Sequence, residues 1–356
     1  MHLTRRTALT LGLAALAAPR IARAQGLSVT PLVQGLDEPW AVAFLPDGGF
    51  LVTERGGRLT RHGDGAPRRI AGLPQVAAAG QGGLLDVMVP ADHARTGTLW
   101  LSYAALVTRG ACTALARVRL DGDRLADWTV VHQGPGSMSP RHFGSRIVEG
   151  RDGTVFLTTG ERGNGPLAQD VSRPEGKVLA FAPDGTPRTA PAFAGQDTVP
   201  GLWSYGHRNA QGACLDLSGD LWLCEHGARG GDEINRVRPG RNYGWPVITL
   251  GVDYDGSPIG EGRAKAGMEQ PAFFWDPSIA PSGLTVCSGR MFPDWRGHFL
   301  TGSLNSDLIA RVDPAGWTET RIETPETLRV RDVREAPDGS IWFLSVNTGT
   351  LWRMAV

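Results

Sequence analysis

The chain has 356 residues, with 36 basic side chains balanced by 36 acidic ones. That balance excludes the general electrostatic pull that a strongly basic domain exerts on nucleic acid, so any anionic ligand must be held by local charge. Glycine (48) and proline (25) are abundant, and four cysteines are too few for a disulfide framework.

Residues 1–24 read as an export signal rather than as part of a fold. Arg5-Arg6 precedes an apolar run over 8–16, and Ala22-Arg23-Ala24 forms a small-x-small cleavage signature. The paired arginines and modest hydrophobicity favour twin-arginine export over an ordinary secretory signal, and either route implies a periplasmic or secreted protein. No later stretch has the roughly 18 unbroken apolar residues of a membrane helix, so no membrane span is expected.

From residue 25 onward, long amphipathic helical patterns are nearly absent and short β-rich runs dominate. Several follow one formula, a turn carrying Asp or Gly followed by alternating strand residues. In chain order they are 44–53 with Asp47-Gly48, 90–102 with Asp92, 150–158 with Asp152-Gly153, 217–223 with Gly219-Asp220, 292–300 with Asp294, and 336–344 with Asp338-Gly339. Six such signals, roughly 45 to 75 residues apart, have the spacing of propeller blades. The expected fold is therefore all-β, a single six-bladed β-propeller over 25–356. A β-sandwich pair or two all-β domains would need a linker, and no low-complexity stretch supplies one. In the fourth signal a loop at 218–220 pairs Leu217 with Leu221 and sets Cys214 opposite Cys224. A cross-strand disulfide and two buried thiols are the alternatives there.

Three segments are too polar and glycine-rich for plain blade strands. In the first, Arg141-His142-Phe143-Gly144-Ser145-Arg146 leads to a strand ending at Gly160-Glu161-Arg162-Gly163. Across that hairpin Glu161 can reach the His142 imidazole and fix its tautomer, as a histidine base requires, although a histidine near a strand start is more commonly structural. The second comprises 205–212, 225–235 and 242–246. Its glycines let the main chain expose carbonyls, the donors that calcium prefers, and tight turns with solvated charges are the alternative. In the third, 328–333, Arg329 and Arg331 share one strand face and can converge on one polyanion, or can be a plain surface pair.

Pro39-Trp40, Thr53-Glu54-Arg55, Gly80-Gln81-Gly82-Gly83-Leu84-Leu85-Asp86, Gly206-His207-Arg208-Asn209, Glu225-His226-Gly227, Asp232-Glu233-Ile234-Asn235, Asn242-Tyr243-Gly244-Trp245-Pro246, Ile279-Ala280-Pro281-Ser282-Gly283 and Arg329-Val330-Arg331-Asp332 follow one another along the chain. Together they resemble the soluble sugar dehydrogenases that depend on pyrroloquinoline quinone (PQQ), a family of aldose sugar dehydrogenases with glucose and sorbosone relatives. The resemblance spans nearly all of 25–356. It implies oxidation of an aldose at its anomeric carbon to a lactone, with PQQ and Ca2+ as cofactors.

Residue by residue, the resemblance makes His142 the general base and Glu161, where the family more often has aspartate, its orienting carboxylate. Arg208 and Asn209 match residues that contact the quinone, and Arg208 would also stabilise charge on it. Arg329 and Arg331 match the pair that binds the PQQ carboxylates, and Gln81 a contact on the sugar side. The carbonyls of Gly227 and Ala228 would ligate calcium, with Ala228 in place of a common proline. Asn305 stands where the family commonly has a lysine that contacts the cofactor, and supplies no charge there. The natural electron acceptor, and whether the protein is a monomer or homodimer, are left open. Two other classes compete: a metal-dependent lactonase, whose sites usually centre on acidic and asparagine ligands, and a non-catalytic carbohydrate-binding propeller, favoured by Asn305.

Overall fold

The computed structural model describes residues 20–21 and 26–356. The export segment read in 1–24 lies outside these residues except for Arg20–Ile21, which pair in parallel with Thr320 and Arg321. Among the described residues no helix is long and apolar enough to cross a membrane.

Six antiparallel four-stranded units form the chain, the fifth extended by Arg20–Ile21. Their first strands are Pro39–Phe44, Leu84–Met88, Ile147–Glu149, Ala210–Leu215, Pro281–Val286 and Val330–Glu335. These six touch one another in ring order, and so line the channel of a six-bladed propeller. Second strands such as Phe50–Glu54, Leu221–Glu225 and Phe299–Ser303 are buried at every position because neighbouring blades cover both faces. They therefore read as continuous runs instead of alternating ones. The outer strands Arg124–Gln133 and Ser28–Val33 are largely open to solvent. Ser28–Val33 belongs to the sixth blade, where it pairs antiparallel with Thr350–Ala355 and closes the ring.

All six Asp/Gly signals fall in the turn between a blade's first and second strands. Asp47, Asp152 and Asp338 each accept a hydrogen bond at Oδ1 from the backbone two residues on, at 3.0, 3.0 and 2.9 Å. Such side-chain turns mimic a backbone turn and fix where the hairpin reverses. Antiparallel pairing then has a consequence for function. The start of each first strand and the end of each second strand lie together at the opposite rim. Gln81, His142, Arg208, Asn209 and Arg329 all precede or begin first strands, and Glu161, Gly227, Ala228 and Asn305 all follow second strands. Topology alone gathers the polar segments on one rim.

The expected register at Cys214 and Cys224 is corrected by two residues. Asp216 Oδ1 accepts from the backbone of Ser218, Gly219 and Asp220, so the turn runs from Asp216 to Asp220. Leu215 consequently pairs with Leu221, Cys214 with Trp222 and Gly212 with Cys224. The two cysteines are diagonal, not opposite, and all four in the chain are free thiols.

Candidate active site

His142 sits just ahead of the third blade's first strand with a left-handed φ of 59°. Its backbone N–H donates to Gln81 Oε1 at 2.7 Å. On the facing hairpin, a Cβ at Gly160 would collide with the His142 carbonyl, so glycine is required for this close approach. The approach brings the Glu161 carboxylate to the buried imidazole, with Oε2 2.7 Å from Nδ1. Oε2 also accepts the Gly163 N–H at 2.6 Å. A carboxylate only accepts, so Nδ1 carries the ring proton and Nε2 is left bare. Burial drives the His142 pKa below its ordinary 6.5; Arg208 and Arg141 act in the same direction, and Glu161 opposes them. The ring is thus neutral at pH 7, as a base must be.

Arg208 and Asn209 are placed by the acid at the end of the fourth blade's second strand. Glu225 accepts from Arg208 N at 2.7 Å and lies 2.9 Å from His207 Nδ1. The Arg208 guanidinium donates to His226 O at 3.4 Å and to Tyr254 Oη at 3.1 Å, and faces the Trp245 ring at 5.2 Å. Asn209 Oδ1 accepts from Gly144 N at 3.1 Å and from Gln211 Nε2 at 3.2 Å. Among the described residues Arg208 Nε and Asn209 Nδ2 are both buried without a partner. Two donors therefore await an acceptor that these residues do not provide.

Arg331 Nη1 donates to Gln211 Oε1 at 2.9 Å, and Arg329 Nη1 to Leu304 O at 2.7 Å. Among the described residues neither guanidinium has an acidic partner, nor has that of Arg208; the backbone N–H of Arg329 donates to Asp307 Oδ1 at 2.8 Å. Burial pushes the Arg331 pKa down to about 9, with repulsion from Arg146, Arg329 and Arg55 adding to it. Arg329 and Arg331 line one pocket together with Trp40, Gln81, Phe143, Gly144 and Gln211. Unpaired guanidinium groups and orphaned donors fit a flat, acceptor-rich polyanion such as the tricarboxylate PQQ.

His142, Glu161, Arg208, Asn209, Asn305, Gly227 and Ala228 are not part of that pocket's lining; His142 joins it through Gln81, and Asn209 through Gly144 and Gln211. Asn305 is exposed, with Nδ2 donating to Ser278 O at 3.3 Å and Oδ1 accepting from Ser306 Oγ at 2.8 Å; its neighbour Leu304 is the residue that meets Arg329. Gly227 donates its N–H to Asp232 Oδ1 at 2.8 Å, and a Cβ there would collide with the Gly230 carbonyl. The turn through Gly227 and Ala228 is thus a close-folded cradle of main chain. Among the described residues no group of three His, Cys, Asp or Glu side chains could hold a metal, so a cation on this rim would rely on oxygens of that main-chain kind.

Sequence reasoning passed over Gln211, Trp40, Tyr254 and Arg162. Gln211 reaches Asn209 Oδ1 at 3.2 Å, but Asn209 precedes the strand and the pairing register shifts at Gln211, so strand parity does not signal it. Trp40 was part of a motif without a role; its ring lies 4.0 Å from the Arg146 guanidinium carbon and 5.9 Å from that of Arg331. No local pattern marks Tyr254 or Arg162.

The family model described as Glucose / Sorbosone dehydrogenase matches residues 36–353. The aldose sugar dehydrogenase YliI of Escherichia coli (strain K12) is 41% identical over 334 residues, a match that covers 90% of each chain. The crystal structure of the soluble aldose sugar dehydrogenase from Escherichia coli in the apo-form superposes with a TM-score of 0.86 at 37% identity, covering 92% of this chain and 99% of that one. The PQQ-bound aldose sugar dehydrogenase of Streptomyces coelicolor superposes with a TM-score of 0.76 at 27% identity, covering 94% and 99%. The chain belongs to the glucose/sorbosone dehydrogenase family.

Proposed function

We propose that the protein is a PQQ- and calcium-dependent aldose dehydrogenase that oxidises the anomeric carbon of a sugar to the lactone. The observation that carries this reading is the buried His142–Glu161 pair at 2.7 Å, joined through the Gln81–His142 hydrogen bond to a pocket where the Arg329 and Arg331 guanidinium groups have no acidic partner among the described residues. When bound, PQQ supplies the hydride acceptor and calcium the Lewis acid that polarises it.

The chain's own residues do the rest. His142 Nε2 takes the proton of the anomeric hydroxyl, and Glu161 stabilises the imidazolium that results. Gln81 spends its carbonyl on the His142 main chain, which leaves its amide N–H groups to orient the sugar. Arg329 and Arg331 would hold the cofactor carboxylates, and Asn209 Nδ2 and Arg208 its quinone oxygens, where Arg208 offsets the negative charge of reduction. The main-chain oxygens of Gly227 and Ala228 would hold calcium. Export to the periplasm or beyond is part of the same reading, supported by Arg5-Arg6 and the cleavage signature in 1–24.

The test is reconstitution of the purified protein with PQQ and calcium, followed by dye reduction across a panel of aldoses. Sugar-dependent turnover that requires PQQ is expected. Absence of turnover over the whole panel overturns the proposal, and lactone hydrolysis needing metal but no quinone replaces it with a hydrolase.

A further inference from the structure

Arg162 is buried, yet among the described residues it has no acidic partner. Burial pushes its pKa down to about 10 against the pull of Glu161 and Glu175. A guanidinium kept in so unfavourable a place calls for a reason. Its contacts supply one, because they converge on the loop that carries the base. Nη1 donates to Arg141 O, Nη2 donates to Ser139 O at 2.5 Å, and the guanidinium carbon lies 3.4 Å from the Phe143 ring centre.

That loop needs restraint. His142 and Ser145 adopt left-handed φ values of 59° and 88°, a region that side chains with a Cβ rarely occupy unless their surroundings over-determine it. Gln81 holds His142 N, and Thr113 Oγ1 holds Phe143 O at 2.7 Å. Just ahead of these points the Ser139 and Arg141 carbonyls are taken by Arg162, whose Nη2 also reaches Ala111 O at 3.5 Å. The same short turn that orients the ring through Glu161 therefore also holds the main chain that leads into His142 and the Phe143 ring that follows it.

We propose that Arg162 is a positioning residue for the base: its planar fork spans the carbonyls of Ser139 and Arg141 and its face lies on Phe143, so that it holds the His142 backbone while Glu161 holds the imidazole. This rests on the reading of His142 as the base. A planar fork with two donors at fixed spacing is specific to arginine, so lysine is not an equivalent.

The test compares Arg162→Met and Arg162→Lys with the wild type. In ¹⁵N-histidine NMR spectra of the cofactor-free protein, with His142 assigned by its loss in His142→Ala, the wild type should show one tautomer, protonated at Nδ1. Arg162→Met should show a mixture. In the reconstituted enzyme, its kcat should fall by about tenfold or more, as expected for a misplaced base. Sugar KM and PQQ affinity should stay within about threefold, and Arg162→Lys should recover part of kcat. If Arg162→Met does not fold, Arg162→Lys and Phe143→Leu carry the same comparison. A folded variant that keeps the single tautomer and the wild-type kcat overturns the proposal. So does a uniform loss of kcat, KM and PQQ affinity, which marks a merely structural residue. The tautomer readout stands even if the wild type oxidises no sugar, which separates failure of this inference from failure of the functional reading.

Discussion

His142 is neutral at pH 7 because burial outweighs its carboxylate partner, and that balance sets how activity must respond to pH and to substitution. As the proposed base, His142 works deprotonated, so kcat should rise as pH climbs through the His142 pKa, with the limb lying below the ordinary histidine value. Arg208 lowers that pKa, so Arg208→Met should move the limb to higher pH. Glu161 raises it, so Glu161→Gln should move the limb to lower pH while kcat itself falls by about 10²–10⁴ through loss of the fixed tautomer. A pH–rate profile on the three proteins checks both signs; limbs that move in the same direction for the two variants would show that another group titrates. Asn305 is a second residue-scale matter. Its side chain is exposed and tied to Ser278 and Ser306. Asn305→Lys should therefore raise PQQ affinity by only a few fold, about the worth of one exposed ion pair, in a fluorescence titration.

At the scale of the element, the two rims of the propeller use glycine for different reasons. Gly48, in a turn of the far rim, has a φ of 86° with open space where a Cβ would point. Gly48→Ala should cost about 1–2 kcal/mol of left-handed strain and leave turnover unchanged. Gly160 faces the His142 carbonyl and Asn209 Oδ1 at once. Gly160→Ala must move the His142 backbone, and for the base proposed there a shift of about 1 Å is enough to cost on the order of 100-fold in kcat. Thermal melts beside kcat measurements separate the two outcomes.

These turns also explain what could be read from sequence. Asp47-Gly48, Asp152-Gly153 and Asp338-Gly339 act through their own side chains and backbone angles, so their mechanism is local and the six blades were legible. The register at Cys214 was not, because Asp216 rather than Ser218 opens that turn, and only the hydrogen bonds of Asp216 reveal it. The base and carboxylate proposed at His142 and Glu161 came from the family resemblance. The strand parity expected of Arg329 and Arg331 does not hold, because Arg329 precedes the strand with a left-handed φ of 45° and the register shifts at Arg331, although both line one pocket. Tyr254 and Arg162 reach the site across 46 and 21 residues of sequence respectively, and no short-range pattern encodes such contacts.

At the scale of the whole molecule, the ring is joined inside its channel by buried charge. Asp332 in the sixth blade accepts from Val42 N of the first at 3.2 Å, and meets Arg146 at the edge of the third at 3.1 Å and Arg334 at 3.1 Å. Asp86 of the second blade completes the group, 3.4 Å from Arg146 and 3.1 Å from Arg334. In the fifth blade, Gly283 lacks a Cβ where one would collide with Asp332 Oδ1. The group also reaches the pocket. Arg146 donates to Gln211 O at 2.6 Å and to Arg331 O at 3.2 Å, and so fixes the strands that present both residues. Asp332→Ala leaves two guanidinium groups to share the single carboxylate of Asp86 and the Val42 N–H without its acceptor, and removing one partner of a buried pair costs about 3–5 kcal/mol. The expected result is a lower urea midpoint with an unchanged slope, together with weaker PQQ binding as Gln211 and Arg331 loosen. Asp313→Ala, on the blade surface, should change stability by about 0.5 kcal/mol or less. If Asp332→Ala loses stability but binds PQQ as the wild type does, the plug closes the ring without shaping the site.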